Sequence, residues 1–413
     1  MATRKWIGNA PKIAQVNTIT PANVNIGNTF TVTINGKAIT VTATAATVAN
    51  VTGLLAAALQ ACDYPEFQEI TWADATTYVS ATSKVAGRPF TQTSSASGGT
   101  ATNTTATATA NSSPNDVNTA ANWSSATLPT GGDTVIIEDS DVDLLYSLSS
   151  LSAVTLAVLR IERSFTGKIG LPEMNREGAT AYPEYRTTYW AISATLADVG
   201  IGQEGAGSGR IKLNFGSVQA TLNVHYSASP ADDGLYAVQW KGTHASNAVN
   251  VLDGSIDVAP FSGETAVIAT LRQGGGQVRC TSGVTLTTIN KYGGDLITES
   301  AITTLTHLGG ETIHLDGALT TLALRGGTVD YRSDDALATA TVSGTQENPA
   351  LLTFDNDPRA KAVTNPIDLY GSFAQVSDVN KVVATLIVDC NEGADPSQVE
   401  FGSNVRLTRG AVA

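Results

Sequence analysis

The chain has 413 residues, of which 42% are hydrophobic and only 15% charged, with 24 Lys and Arg against 37 Asp and Glu and a formal net charge of −13. The length suits two or three domains, and Thr, Val, Gly and Asn in this abundance point to strands and turns. Clustered Lys and Arg are absent, with Arg4-Lys5 standing alone, which excludes a nucleic-acid binder; no apolar run approaches the ~20 residues of a membrane span.

Residues 1–16 read as an N-terminal arm. Gly8, Asn9 and Pro11 break any helix, and Trp6 offers an anchor. The arm lacks the apolar stretch of a secretion signal, so an extracellular role would need another exit, such as lysis.

Residues 17–92 read as a small α+β docking module. Thr29 to Ile34 alternates polar and apolar residues, Asn35-Gly36 follows, and Lys37 to Thr42 alternates again, the strongest short-range signal for a hairpin. Val48, Val51, Leu54, Leu55, Ala58 and Leu59 then fall near helical spacing behind Thr47, a suitable N-cap. Residues 93–116 are Thr/Ser/Ala-rich and read either as a linker or as an exposed strand. From residue 117 a new unit opens, with Thr134 to Ile137 and Val154 to Ile161 as its first strands. Residues 171–190, rich in Tyr, Glu and Arg, are expected to project from it as a loop.

An internal repeat in residues 268–344 decides the fold class. Segments beginning at Ile268, Leu286, Ile302, Leu319 and Leu337 lie 18, 16, 17 and 18 residues apart. Each ends in an apolar residue, the first four being Leu271, Ile289, Leu305 and Leu322. Four residues beyond each comes a glycine: Gly275, Gly293, Gly309 and Gly326 in those copies, each doubled, and Gly344 in the fifth. A short strand follows. Two registers held in phase at this short period describe rungs of a β-solenoid, with apolar columns inside and glycines accepting positive φ at the corners. The expected fold is therefore mainly β: a small hairpin-plus-helix module, then a parallel β-solenoid (β-helix) of about 17 residues per rung over residues 117–413.

The chemistry-bearing residues are sparse. Asp295 and Glu311 occupy the same position of successive rungs, so their backbones should lie ~4.8 Å apart. A carboxylate pair on a lateral face suits glycosidic cleavage, but an outward polar ladder is the favoured reading, and no catalytic residue is assigned. His307 and His314 share a rung with Asp316 nearby, without a third convergent ligand. Glu138 to Asp143 and Asp355 to Asp357 do not match a spaced calcium loop. Cys62, Cys280 and Cys390 show no metal or disulfide spacing and are expected as buried free thiols. Neither metal nor cofactor is expected. Tyr182, Tyr185, Tyr189 and Trp190 suit an interface.

The stretch Thr29 to Ala61 resembles a hairpin-plus-helix module of bacteriophage tail and other virion structural proteins. Asn122-Trp123 through Leu128-Pro129 to Ile136 resembles the opening rungs of β-solenoid adhesins and phage fibre or spike proteins. The two resemblances imply a non-catalytic structural subunit of a phage-like virion, in the capsid-surface, tail or fibre position. It would assemble in the host cytoplasm with itself and other virion proteins, and would need neither nucleic acid nor membrane as partner. The alternative is a tailspike-like protein that binds or cleaves a glycan, with Asp295 and Glu311 on its working face.

Overall fold

The computed structural model describes residues 2–178, 180–228, 234–401 and 403–409. The chain is mainly β, and two long parallel sheets dominate it, of 15 and 11 strands among the described residues. They face each other across one continuous apolar cluster that runs from Trp6 to Val399, an arrangement consistent with a β-solenoid.

Consecutive strands alternate between the sheets. Val284–Lys291 lies in the first sheet, Asp295–Thr298 in the second, Ile302–His307 in the first again and Glu311–His314 in the second. Pairing is in register, Leu271 with Ile289, Ile289 with Leu305 and Leu305 with Leu322. All four side chains are buried, as are Val278, Leu296 and Val329 facing them from the second sheet. Each rung therefore contributes an apolar step to both walls, and the area taken from water is the main stabilising term.

The paired glycines at the corners divide two tasks, which corrects the expectation that Gly275, Gly293, Gly309 and Gly326 supply the positive φ. That conformation belongs to the second glycine of each pair, Gly276 (64°), Gly294 (71°), Gly310 (78°) and Gly327 (76°). The first glycine answers crowding instead. A Cβ on Gly275, Gly293 or Gly309 would sit 2.8 Å from a backbone oxygen of the preceding rung, that of Leu252, Gly274 or Tyr292. On Gly326 it would strike the Asn348 amide.

The N-terminal segment is part of the stack. Thr3–Lys5 pairs in parallel with Thr134 to Ile136 and forms the first strand of the larger sheet. Trp6 anchors on its own chain: it is 2% exposed, meets Trp123 edge-on at 5.1 Å and donates its indole N–H to the Val142 carbonyl at 3.0 Å. Burying a large amphipathic ring and covering a sheet edge both favour this closure.

Between arm and stack lie two smaller sheets. Thr29–Ile34 and Lys37–Thr42 pair around Asn35-Gly36, both at positive φ (51° and 72°), as a tight hairpin requires. Phe30, Val32 and Ile34 face inward against the helix Val48–Gln60, whose first turn is capped by the Thr47 hydroxyl accepting from the Asn50 N–H. The Thr/Ser/Ala-rich stretch forms two further strands: Thr93–Ser97 pairs with Thr29–Ile34, and Thr102–Thr109 pairs with Val16–Ala22.

Residues 171–190 contain a short hairpin, Met174–Asn175 with Tyr182–Pro183, that braces the smaller sheets against the stack. Glu69 sits at the centre and takes Arg186, the Tyr182 hydroxyl and Arg88, the last at 3.3 Å. Arg186 also binds Glu184 at 2.9 Å and the Pro89 carbonyl at 2.7 Å. A largely desolvated guanidinium that divides its three nitrogens among two carboxylates and a carbonyl fixes geometry.

Candidate functional site

The outer face of the second sheet carries the carboxylates that the repeat predicts. Gln277, Asp295, Glu311 and Thr328 form one column in parallel register. Asp295 and Glu311 are exposed, and their neighbours Val278, Leu296 and Thr312 point inward. Beside them on the same face lie the half-buried Ile297 and Ile313, between Arg279 and the Asp330–Arg332 pair. The result is a solvated acidic ladder beside a narrow apolar strip.

Behind this face a column of buried polar side chains lines the glycine corners. Gln273, Lys291 and His307 are in register and buried. The Gln273 amide donates to the carbonyls of Gly276 (3.1 Å) and Asp295 (2.9 Å). Lys291 places its ammonium among the carbonyls of Gly293 (3.1 Å), Gly309 (3.0 Å) and Gly294. Burial lowers its pKa to about 8 although Asp295 and Glu311 lie nearby. His307 Nδ1 lies 2.8 Å from the Gly326 carbonyl, which makes it the N–H donor, and burial pushes its pKa down to about 4. These groups satisfy turn carbonyls that the tight corners remove from water.

The remaining histidines do not join them. His314 donates Nε2–H to the Gly317 carbonyl at 2.6 Å and packs on Tyr331 at 5.1 Å. His225 lies beside Asp198 at 3.2 Å, and His244 accepts from the Ser246 N–H at 3.1 Å. Among the described residues no group of three His, Cys, Asp or Glu side chains could hold a metal ion. The acidic stretches have protein partners: Glu138 binds Lys5, Asp143 accepts from the Lys168 N–H at 2.7 Å, and Asp357 binds Arg359 at 2.8 Å and Lys361 at 3.1 Å.

A lateral groove of about 560 Å³ lies on the same side of the stack, lined by Phe261, Glu264, Arg279, Thr281 and Glu299 among others. Glu264 is committed to Lys241 (2.7 Å) and to the Tyr189 hydroxyl (3.1 Å). Arg279 is held by Asp257. Glu299 is half-buried and makes no ion pair among the described residues. The groove draws on three separate turns, so no local motif announces it. Tyr182 and Tyr185 belong to the brace, whereas Trp190 is buried in the core and Tyr189 lies against Lys212 and Lys241.

Fold and surface together define a protein built on long parallel sheets, β-solenoid-like, with a polar outer ladder. No family model, curated protein or solved structure matches the chain.

Proposed function

We propose that the protein is a non-catalytic structural subunit of a phage-like virion, self-assembling and joined to other virion proteins at the capsid surface, tail or fibre. One observation carries this reading: the chain's own arm supplies a short terminal strand to the stack, and the stack is clamped to the smaller sheets through Glu69 and Arg186. That construction gives a stiff body whose long sides remain for contacts, which is what a building block requires. The virion setting rests on the resemblance of Thr29 to Ala61 to tail-protein modules. The smaller sheets are the docking module in this reading, and assembly takes place in the host cytoplasm.

Sedimentation velocity of the purified chain across a wide concentration range tests the reading. Discrete species heavier than the monomer support it. A monomer at every concentration overturns it, most plainly one that depolymerises a bacterial surface glycan. That last outcome belongs to the alternative, a glycan-binding or glycan-cleaving spike, which the groove beside Arg279 and Glu299 favours. On the alternative, Asp295→Asn lowers turnover; on the structural reading it changes nothing measurable.

A further inference from the structure

The larger sheet presents a second long face, opposite in character to the acidic ladder. Across the five strands from Ala266–Gln273 to Ala336–Ser343, threonine dominates the outward positions. One column reads Thr270, Thr288, Thr304, Thr321, Thr339, each in register with the next. Thr287, Thr303 and Thr320 stand exposed beside it. In a chain of net charge −13 this face carries no carboxylate over those five rungs.

The neighbouring outward column carries charge at only two of its positions over the six rungs from Arg272 to Asp368, and continues beyond them to Asn250 on one side and Asp389 on the other. It runs Arg272, Asn290, Thr306, Ala323, Thr341, Asp368. Arg272 is exposed and makes no ion pair among the described residues. Asp368 accepts one hydrogen bond, from the Asn391 amide at 3.1 Å, and likewise has no cationic partner among the described residues. Five rung spacings of ~4.8 Å separate the two, about 24 Å along the stack.

We infer that this threonine face is a self-association surface, on which a second copy packs antiparallel about a two-fold axis lying along the strand direction between the Thr306 and Ala323 rungs. The inference rests on the reading of the protein as a self-assembling subunit. Such an axis keeps each column opposite itself with the rung order reversed. Thr304 then meets Thr321 of the other copy, Thr288 meets Thr339, and Arg272 meets Asp368 at both ends. The charge placement is what selects a second copy: a cation and an anion five rungs apart in one column are complementary to the same column reversed, and the next residues outward, Asn250 and Asp389, then face each other without like charge. Two such faces approach without like-charge repulsion, and threonine offers methyls for contact and hydroxyls that pair across it. The terminal strand Thr3–Lys5 is only three residues long, carries Arg4 and Lys5 and gives its Lys5 N–H to the Ser124 hydroxyl at 2.9 Å, which makes it a poor template for end-on stacking and leaves the long sides for association.

Light scattering on the full chain and four surface variants tests this. The parent is expected to dimerise. Arg272→Asp and Asp368→Arg should each weaken the dimer about tenfold or more, and the double variant Arg272→Asp/Asp368→Arg should restore it. Thr304→Lys should give a monomer, with an unchanged far-ultraviolet spectrum showing that the stack is intact. An oligomer that ignores all four variants overturns this face and leaves self-assembly standing. A parent that stays monomeric removes both the face and the assembly reading. A monomer retained on an insoluble neutral glucan would make the face a carbohydrate platform and also overturn the inference.

Discussion

Leu305 shows what a single residue contributes in this architecture. It is buried, in register with Ile289 and Leu322, and faces the second sheet across a narrow interior. Leu305→Asp places an unpaired charge there and should cost several kcal/mol, on the order of 4. Thr303→Asp, two residues away but exposed, should stay within about 0.5 kcal/mol when both variants are melted dilute enough to be monomeric. Thermal melts of the pair check the inward and outward assignment. His307 gives a pH signature. Its folded pKa is near 4, below the ordinary value of 6.5, so the unfolded chain binds the extra proton between those limits. Stability from this residue is complete above about pH 6.5 and is lost as pH falls toward 4, by roughly 3 kcal/mol. His307→Leu, which repeats the Leu324 of the next rung, should flatten urea midpoints between pH 7 and pH 4.5. Unchanged pH dependence in that variant would place the titrating group elsewhere.

At the scale of elements, the arm and the brace carry the sharpest expectations. Trp6→Ala removes a buried indole from Trp123 and from the Val142 carbonyl, at a cost of about 3–5 kcal/mol. The released arm should become the first site of proteolysis. Arg186→Ala leaves Glu69 and Glu184 without their main cation, which should cost about 3 kcal/mol and loosen the smaller sheets from the stack. Hydrogen exchange should rise around Glu69 and Pro89 first, with the rungs beyond Leu271 unaffected. Much of this scale is legible in the sequence, but unevenly. Asn35-Gly36, the Thr47 cap and the repeat around Leu305 act through near neighbours and show their period directly. Trp6 on Trp123, or Glu69 on Arg186, joins residues more than a hundred positions apart, and no local pattern encodes such a meeting. The doubled glycines lie between these cases. Their spacing marks the corners, yet which glycine turns and which yields room depends on the carbonyl of the rung before.

For the whole molecule, the parallel stack is the feature from which function has to follow. Its two outer faces differ in kind: acidic column and groove on one, a neutral threonine column flanked by one that carries Arg272 and Asp368 five rungs apart on the other. The repeat predicts the acidic column, whereas the groove and the complementarity of the threonine face depend on loop return and on register over many rungs. The most direct test of the building-block account is cryo-electron microscopy of the purified full chain. The account predicts averages in which strands stack ~4.8 Å apart, the arm end is covered and free, and copies meet along their sides. Averages showing a closed globule without stacked parallel strands, or filaments joined through the Trp6 end, would contradict it.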